Sequence, residues 1–195
     1  MPIIRSIILF NCVFFLMYSH CAACTKDDND HAIDLVMQGK GDESFEFISE
    51  KLKECPNDID LRQGRIAFFL ARKMYRAALE DVEYLLKIDP LNQDYLMERC
   101  TLNESIDQEN NKASHRACYK NVSELIKSKR KGEPLFDTMD WTYVLAVSMA
   151  EMPEAGEIRR QYLKLLDSSD AEPHFVKTMR DMFLHFDRKN FLVPR

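Results

Sequence analysis

Glycine is scarce, with 5 in 195 residues, which argues against an all-β fold or a doubly wound sheet, since both use glycine in tight turns and phosphate loops. Excess positive charge is absent too: 27 basic against 32 acidic side chains leave a net charge of −5. A chain of that balance lacks the electrostatic footprint that binding a phosphate backbone requires, so no nucleic-acid partner is expected. There is no Gly-x-Ser-x-Gly elbow, no glycine-rich phosphate cradle and no His-Glu-x-x-His pair, so neither an enzyme nor a cofactor is expected. His115 and Cys118 stand three apart, but no second pair has metal-ligand spacing, and zinc wants four ligands; no metal is expected. Long apolar runs are missing as well. The stretch 7–17 is broken by Asn11 and falls short of the roughly 20 residues that span a bilayer.

What that stretch does provide is a leader. A single cation, Arg5, precedes it, and the small residues Cys21-Ala22-Ala23-Cys24 follow it, the pattern of an export signal that is cleaved. Residues 1–23 are therefore expected to be a signal peptide, 24–27 a short tether and 28–195 the folded domain. Ala22-Ala23-Cys24 resembles the lipobox of bacterial lipoproteins. The resemblance implies lipid on Cys24, contact with a membrane only through that anchor, and, with Thr25 next, sorting to the outer membrane; multiple acyl chains hold stably. An ordinary cut after Ala23 would instead leave a soluble periplasmic or secreted chain. The triplets Asn103-Glu104-Ser105 and Asn121-Val122-Ser123 would matter only in a eukaryotic secretory pathway.

In the mature region apolar residues recur every three or four positions, with no sustained alternation. The spacing predicts helices at 28–38, 43–55, 59–71, 75–88, 92–105, 113–130, 137–151, 154–167 and 171–187, an all-α stack of about four antiparallel pairs plus a capping helix. Leu61, Ile66, Phe69, Leu70, Leu79, Val82, Leu85 and Leu86 are the expected core. Lys53-Glu54-Cys55-Pro56-Asn57-Asp58 recurs as Lys87-Ile88-Asp89-Pro90-Leu91-Asn92, with the two prolines 34 residues apart. Proline closes a helix because it cannot donate the next backbone hydrogen bond, and 34 is the tetratricopeptide period. Tyr75 to Pro90, with Ala78 twelve before the proline, resembles the second half of a tetratricopeptide unit. The match loosens beyond Pro90, where the polar insert 106–112 delays the next proline to Pro134.

The tetratricopeptide resemblance implies a concave face built from the first helix of each pair, taking a peptide or helix of a partner protein. Aligning the repeats by their prolines puts Asn29, Ile33, Asp60, Gln63, Asp94 and Met97 on that face. The architecture is similar to that of envelope scaffolding lipoproteins and also to that of periplasmic immunity lipoproteins that neutralise toxic effectors. Acidity is concentrated at 25–60, where four lysines face eleven carboxylates, enough to steer a cationic partner. Cys100 lies five residues before the end of the helix expected at 92–105, and Cys118 five after the start of the next. Those levels coincide in an antiparallel hairpin, so a Cys100–Cys118 bridge is expected in an oxidising compartment. Cys55 is expected to be left as a free or buried thiol.

Overall fold

A computed structural model describes residues 26–107 and 110–192. The leader 1–23 and the proposed lipid-attachment residue Cys24 lie outside the described residues. The chain is all-helical over what is described: α1 Lys26–Met37, α2 Gly41–Glu54, α3 Ile59–Ala71, α4 Tyr75–Ile88, α5 Gln93–Ile106, α6 Lys112–Lys129, α7 Thr142–Met149, α8 Ala155–Asp167, α9 Pro173–Leu184 and the single turn α10 Arg188–Phe191. Among the described residues no helix is long and apolar enough to cross a membrane. The helices fall into two compact units, residues 1–68 and 69–195.

Unit 1 is built around α1 and α2, which pack on one another. Their turn needs Gly39, whose φ of +77° lies in the left-handed region that only glycine enters without strain. Ala32, Ile48, Leu52 and Leu61 are buried together with Phe47 against them. The Ser44 hydroxyl donates to the Ala32 carbonyl at 2.8 Å, joining the helices where both side chains are small. Phe45 and Phe68 stack with centroids 4.0 Å apart. Gly64 is a close approach: a Cβ there would lie 3.3 Å from Ile48 Cδ1.

In unit 2, α4 packs on α5, α5 on α6, α6 on α7, α7 on α8 and α8 on α9, and α5 also touches α7. Sequential contacts plus one between alternate helices are what a stack of pairs produces, because each pair can bury its apolar face only on the next. Ala78, Val82 and Leu85 are fully enclosed in α4. The larger core runs through Met97, Tyr119, Val122, Ile126, Tyr143, Val144, Tyr162, Met179 and Phe183. Cys100 on α5 is joined to Cys118 on α6 with Cα atoms 5.8 Å apart. By the chain-entropy model, closing that loop contributes about 3 kcal/mol.

Three sequence expectations need correction. Cys55, expected as a free or buried thiol, is disulfide-bonded. The helix expected from 137 begins only at Thr142, because the Asp137 carboxylate accepts from the Met139 and Asp140 amides at 2.8 Å each. Those two bonds hold a turn in place of a first helical turn and keep the Asp137 carboxyl below its ordinary range. The last helix ends at Leu184, short of 187, and Asp187 caps a new turn through a bond from the Lys189 amide. At its start, Pro173 occupies the first helical turn while Glu172 accepts from the Phe175 amide at 3.0 Å, the arrangement that suits a residue without an N–H.

Candidate functional site: a groove between α5 and α7 of unit 2

The α5 side of the site follows from helix periodicity. Asp94, Met97, Glu98, Thr101 and Leu102 recur at three- and four-residue spacing and so share one face. The Asn92 side chain fixes where that face starts, accepting from the Asp94 and Tyr95 amides at 3.1 and 3.2 Å; such a cap satisfies donors that the first helical turn leaves unpaired.

Across from it stand Trp141, Thr142 and Leu145 at the start of α7. The loop before α7 is held by Asp140, which pairs with Arg130, accepts from Gln93 Nε2 at 3.2 Å and accepts from the Thr142 amide at 3.3 Å. Thr142 Oγ1 then donates to Asp94 Oδ1 at 3.0 Å, tying the two walls at one end. Leu70 from the last turn of α3 and Phe191 from α10 complete a cleft of about 330 Å³. That volume is at the small end of the roughly 300–1,000 Å³ typical of ligand clefts.

The electrostatics are one-sided. Asp94 and Glu98 are the charged lining residues, and no Lys, Arg or His among the described residues joins them. Partial withdrawal from water, with the Asp94 charge adding to it, pushes the Glu98 carboxyl above its ordinary range. No hydrogen bond or ion pair to Glu98 itself among the described residues offsets this, while Asp94 accepts from Thr142 Oγ1. By contrast, Arg188 of α10 is engaged: it grips Glu104 through Nε and Nη2 at 2.9 and 2.8 Å and donates to the Met149 carbonyl.

Of the six residues expected on a binding face, the groove brings together Asp94 and Met97. Met97 is 6 % exposed, so it forms wall and not rim. Asn29, Ile33, Asp60 and Gln63 lie in unit 1, where Ile33, Asp60 and Gln63 are exposed and Asn29 is half-buried. Sequence reasoning missed Glu98, Thr101, Leu102, Trp141, Thr142, Leu145 and Phe191. Glu98 follows from Asp94 by one helical turn and was within reach. The α7 residues were not, because the 34-residue register is lost at the insert.

The backbone is similar to a crystal structure of a thermophilic TPR protein from Thermus thermophilus, with a TM-score of 0.56 over 86% of this chain and 85% of that one. The fold is a tetratricopeptide-like stack of helix pairs. Identity across the match is 16%, so the likeness concerns architecture. No protein-family model matches the chain, and no curated protein matches it.

Proposed function

We propose that the chain is an exported protein-interaction module whose unit 2 groove takes a segment of a partner protein. The observation that carries this reading is the open cleft between α5 and α7, walled by Met97, Leu102, Trp141 and Leu145, with Phe191 also in its lining. Apolar walls left open beside a few placed polar groups are characteristic of binding sites. Among the described residues the polar side chains of the lining are two carboxylates and two threonine hydroxyls. A photo-reactive amino acid placed at Leu70, in the groove, is expected to trap a partner in living cells. The same group at Gln161, exposed on α8, is expected to trap none. Adducts from Gln161 equal to those from Leu70 would overturn the reading.

Export rests on the leader, and the two fates of Cys24 exclude each other chemically. A sulfur in a thioether to a lipid is not available as a thiol. The lipobox-like Ala22-Ala23-Cys24 supports a product anchored in the outer membrane by lipid on Cys24, whereas an ordinary cut after Ala23 would give a soluble one in the periplasm or outside the cell. Intact mass spectrometry of the exported protein is expected to show acyl chains on a mature chain that begins at Cys24. A mature chain that begins there without an acyl chain would overturn the anchor and leave the soluble product.

A further inference from the structure

We propose that the groove recognises a cationic side chain, an arginine or lysine flanked by apolar residues in the partner's segment. Asp94 and Glu98 hold the cation, while Trp141, Leu102 and Leu145 take the aliphatic parts. This rests on the reading of the groove as the partner site and adds to it the chemistry of what enters.

Charge complementarity argues for that occupant. Asp94 and Glu98 stand four residues apart on one helix face, a spacing at which like charges repel, and neither is neutralised from within the lining. Glu98 is the more telling of the two. Its carboxylate is partly shielded from water beside another negative charge, with no hydrogen bond or ion pair among the described residues to compensate, so the groove's own residues leave a destabilised anion there. An incoming guanidinium or ammonium relieves that state and meets oxygens able to accept charge-assisted hydrogen bonds. An acidic segment would aggravate it.

The apolar half suits the same ligand. Trp141 is half-buried at the groove and its ring packs edge-on against Phe183 with centroids 5.9 Å apart, which holds the indole while leaving part of it to a visitor. Arginine and lysine bring long methylene stems that cover apolar surface while the charged head stays with polar groups, and cations favour the face of an indole. A bare divalent cation is a poorer fit, since among the described residues no group of three or more metal-ligating side chains stands together.

Trp141 is the sole tryptophan of the chain, so its fluorescence reports on this groove directly. The full-length protein is titrated with three probes: the acetylated, amidated tripeptide Leu-Arg-Leu, its analogue with neutral citrulline in the centre, and its analogue with glutamate there. The arginine peptide is expected to bind about tenfold tighter than the citrulline peptide, the lower end of what a hydrogen bond to a charged group is worth. The glutamate peptide is expected to be the weakest. Glu98→Gln, close to isosteric, is expected to erase the preference for arginine while citrulline binding stays. Equal binding of the arginine and citrulline peptides by the unmodified protein overturns the cation proposal and leaves the groove reading standing. No fluorescence change with any of the three overturns both. Retention of the arginine preference in Glu98→Gln removes Glu98 from the account and sinks the proposal as stated.

Discussion

Arg188→Ala is expected to destabilise unit 2 by about 3 kcal/mol, the low end of what breaking a buried ion pair costs when one partner is removed. The Arg188 and Glu104 side chains are 16% and 8% exposed and pair in a fork, 2.9 Å from Nε to Oε1 and 2.8 Å from Nη2 to Oε2. A second donor converges on the same carboxylate, since Tyr119 donates its hydroxyl to Glu104 Oε2 at 2.9 Å. Arg188 also lies over the Tyr119 ring, 5.4 Å from its centroid. Burial, with the Glu104 charge behind it, pushes the Tyr119 hydroxyl above its ordinary range, so that group stays a donor at any physiological pH. Deleting the guanidinium leaves Glu104 charged, enclosed and held by one neutral hydrogen bond. The cost comes mainly from that orphaned carboxylate. Adding Glu104→Gln to the Arg188→Ala background should therefore recover part of the loss, although each change alone destabilises. Urea unfolding of the four proteins of the cycle checks this. Strict additivity, or a loss below about 1 kcal/mol for Arg188→Ala, the usual worth of an exposed pair, would remove the clamp from the account.

The clamp illustrates what the sequence did not show. Eighty-four residues separate Arg188 from Glu104, and no local spacing announces a pair brought together only by tertiary packing. Legibility was highest where a short-range rule applied on both sides of a turn. The helices expected at 59–71 and 75–88 are those observed, because Pro56 stands just before the first and Pro90 closes the second, and an alanine at Ala78, fully buried, permits the approach of a neighbour. Core residues in that region follow: Leu61, Ile66, Phe69, Val82, Leu85 and Leu86 are buried, while Leu70 and Leu79 are half-buried. Leu70 is half-buried because it lines the groove. The pairing of Cys100 with Cys118 was readable for the same reason, two helices of an antiparallel hairpin counted from a common turn. Failure began at 137–141, where Leu135, Phe136 and Met139 continue the helical apolar rhythm but Asp137 hydrogen-bonds its own turn. A side chain that competes for backbone amides is invisible to periodicity. The groove was half legible for the related reason that its α5 wall lies inside one regular helix and its α7 wall lies beyond the break.

Phe183→Ala is expected to cost about 3–5 kcal/mol, the range for deleting a buried aromatic that its surroundings cannot refill. Phe183 is 1% exposed and is the ring against which three others from separate elements are set. Tyr162 of α8 meets it edge-on at 5.2 Å, Trp141 before α7 edge-on at 5.9 Å and Phe191 of α10 at 6.2 Å. Edge-to-face pairs add to simple burial, and truncation to alanine removes all three contacts at once. The neighbouring Leu184→Ala provides the contrast, since Leu184 is 57% exposed and exposed substitutions stay within about 0.5 kcal/mol. Two of the rings that lose their support, Trp141 and Phe191, line the groove, so the packing defect reaches the site. Below its unfolding transition, Phe183→Ala should therefore show a red-shifted Trp141 emission, because an indole released from its edge-on partner gains access to water, whereas Leu184→Ala should emit like the unmodified protein. Equal stabilities for the two variants, or an unshifted emission in Phe183→Ala, would mean that α9 only covers the end of the stack and does not hold the groove in shape.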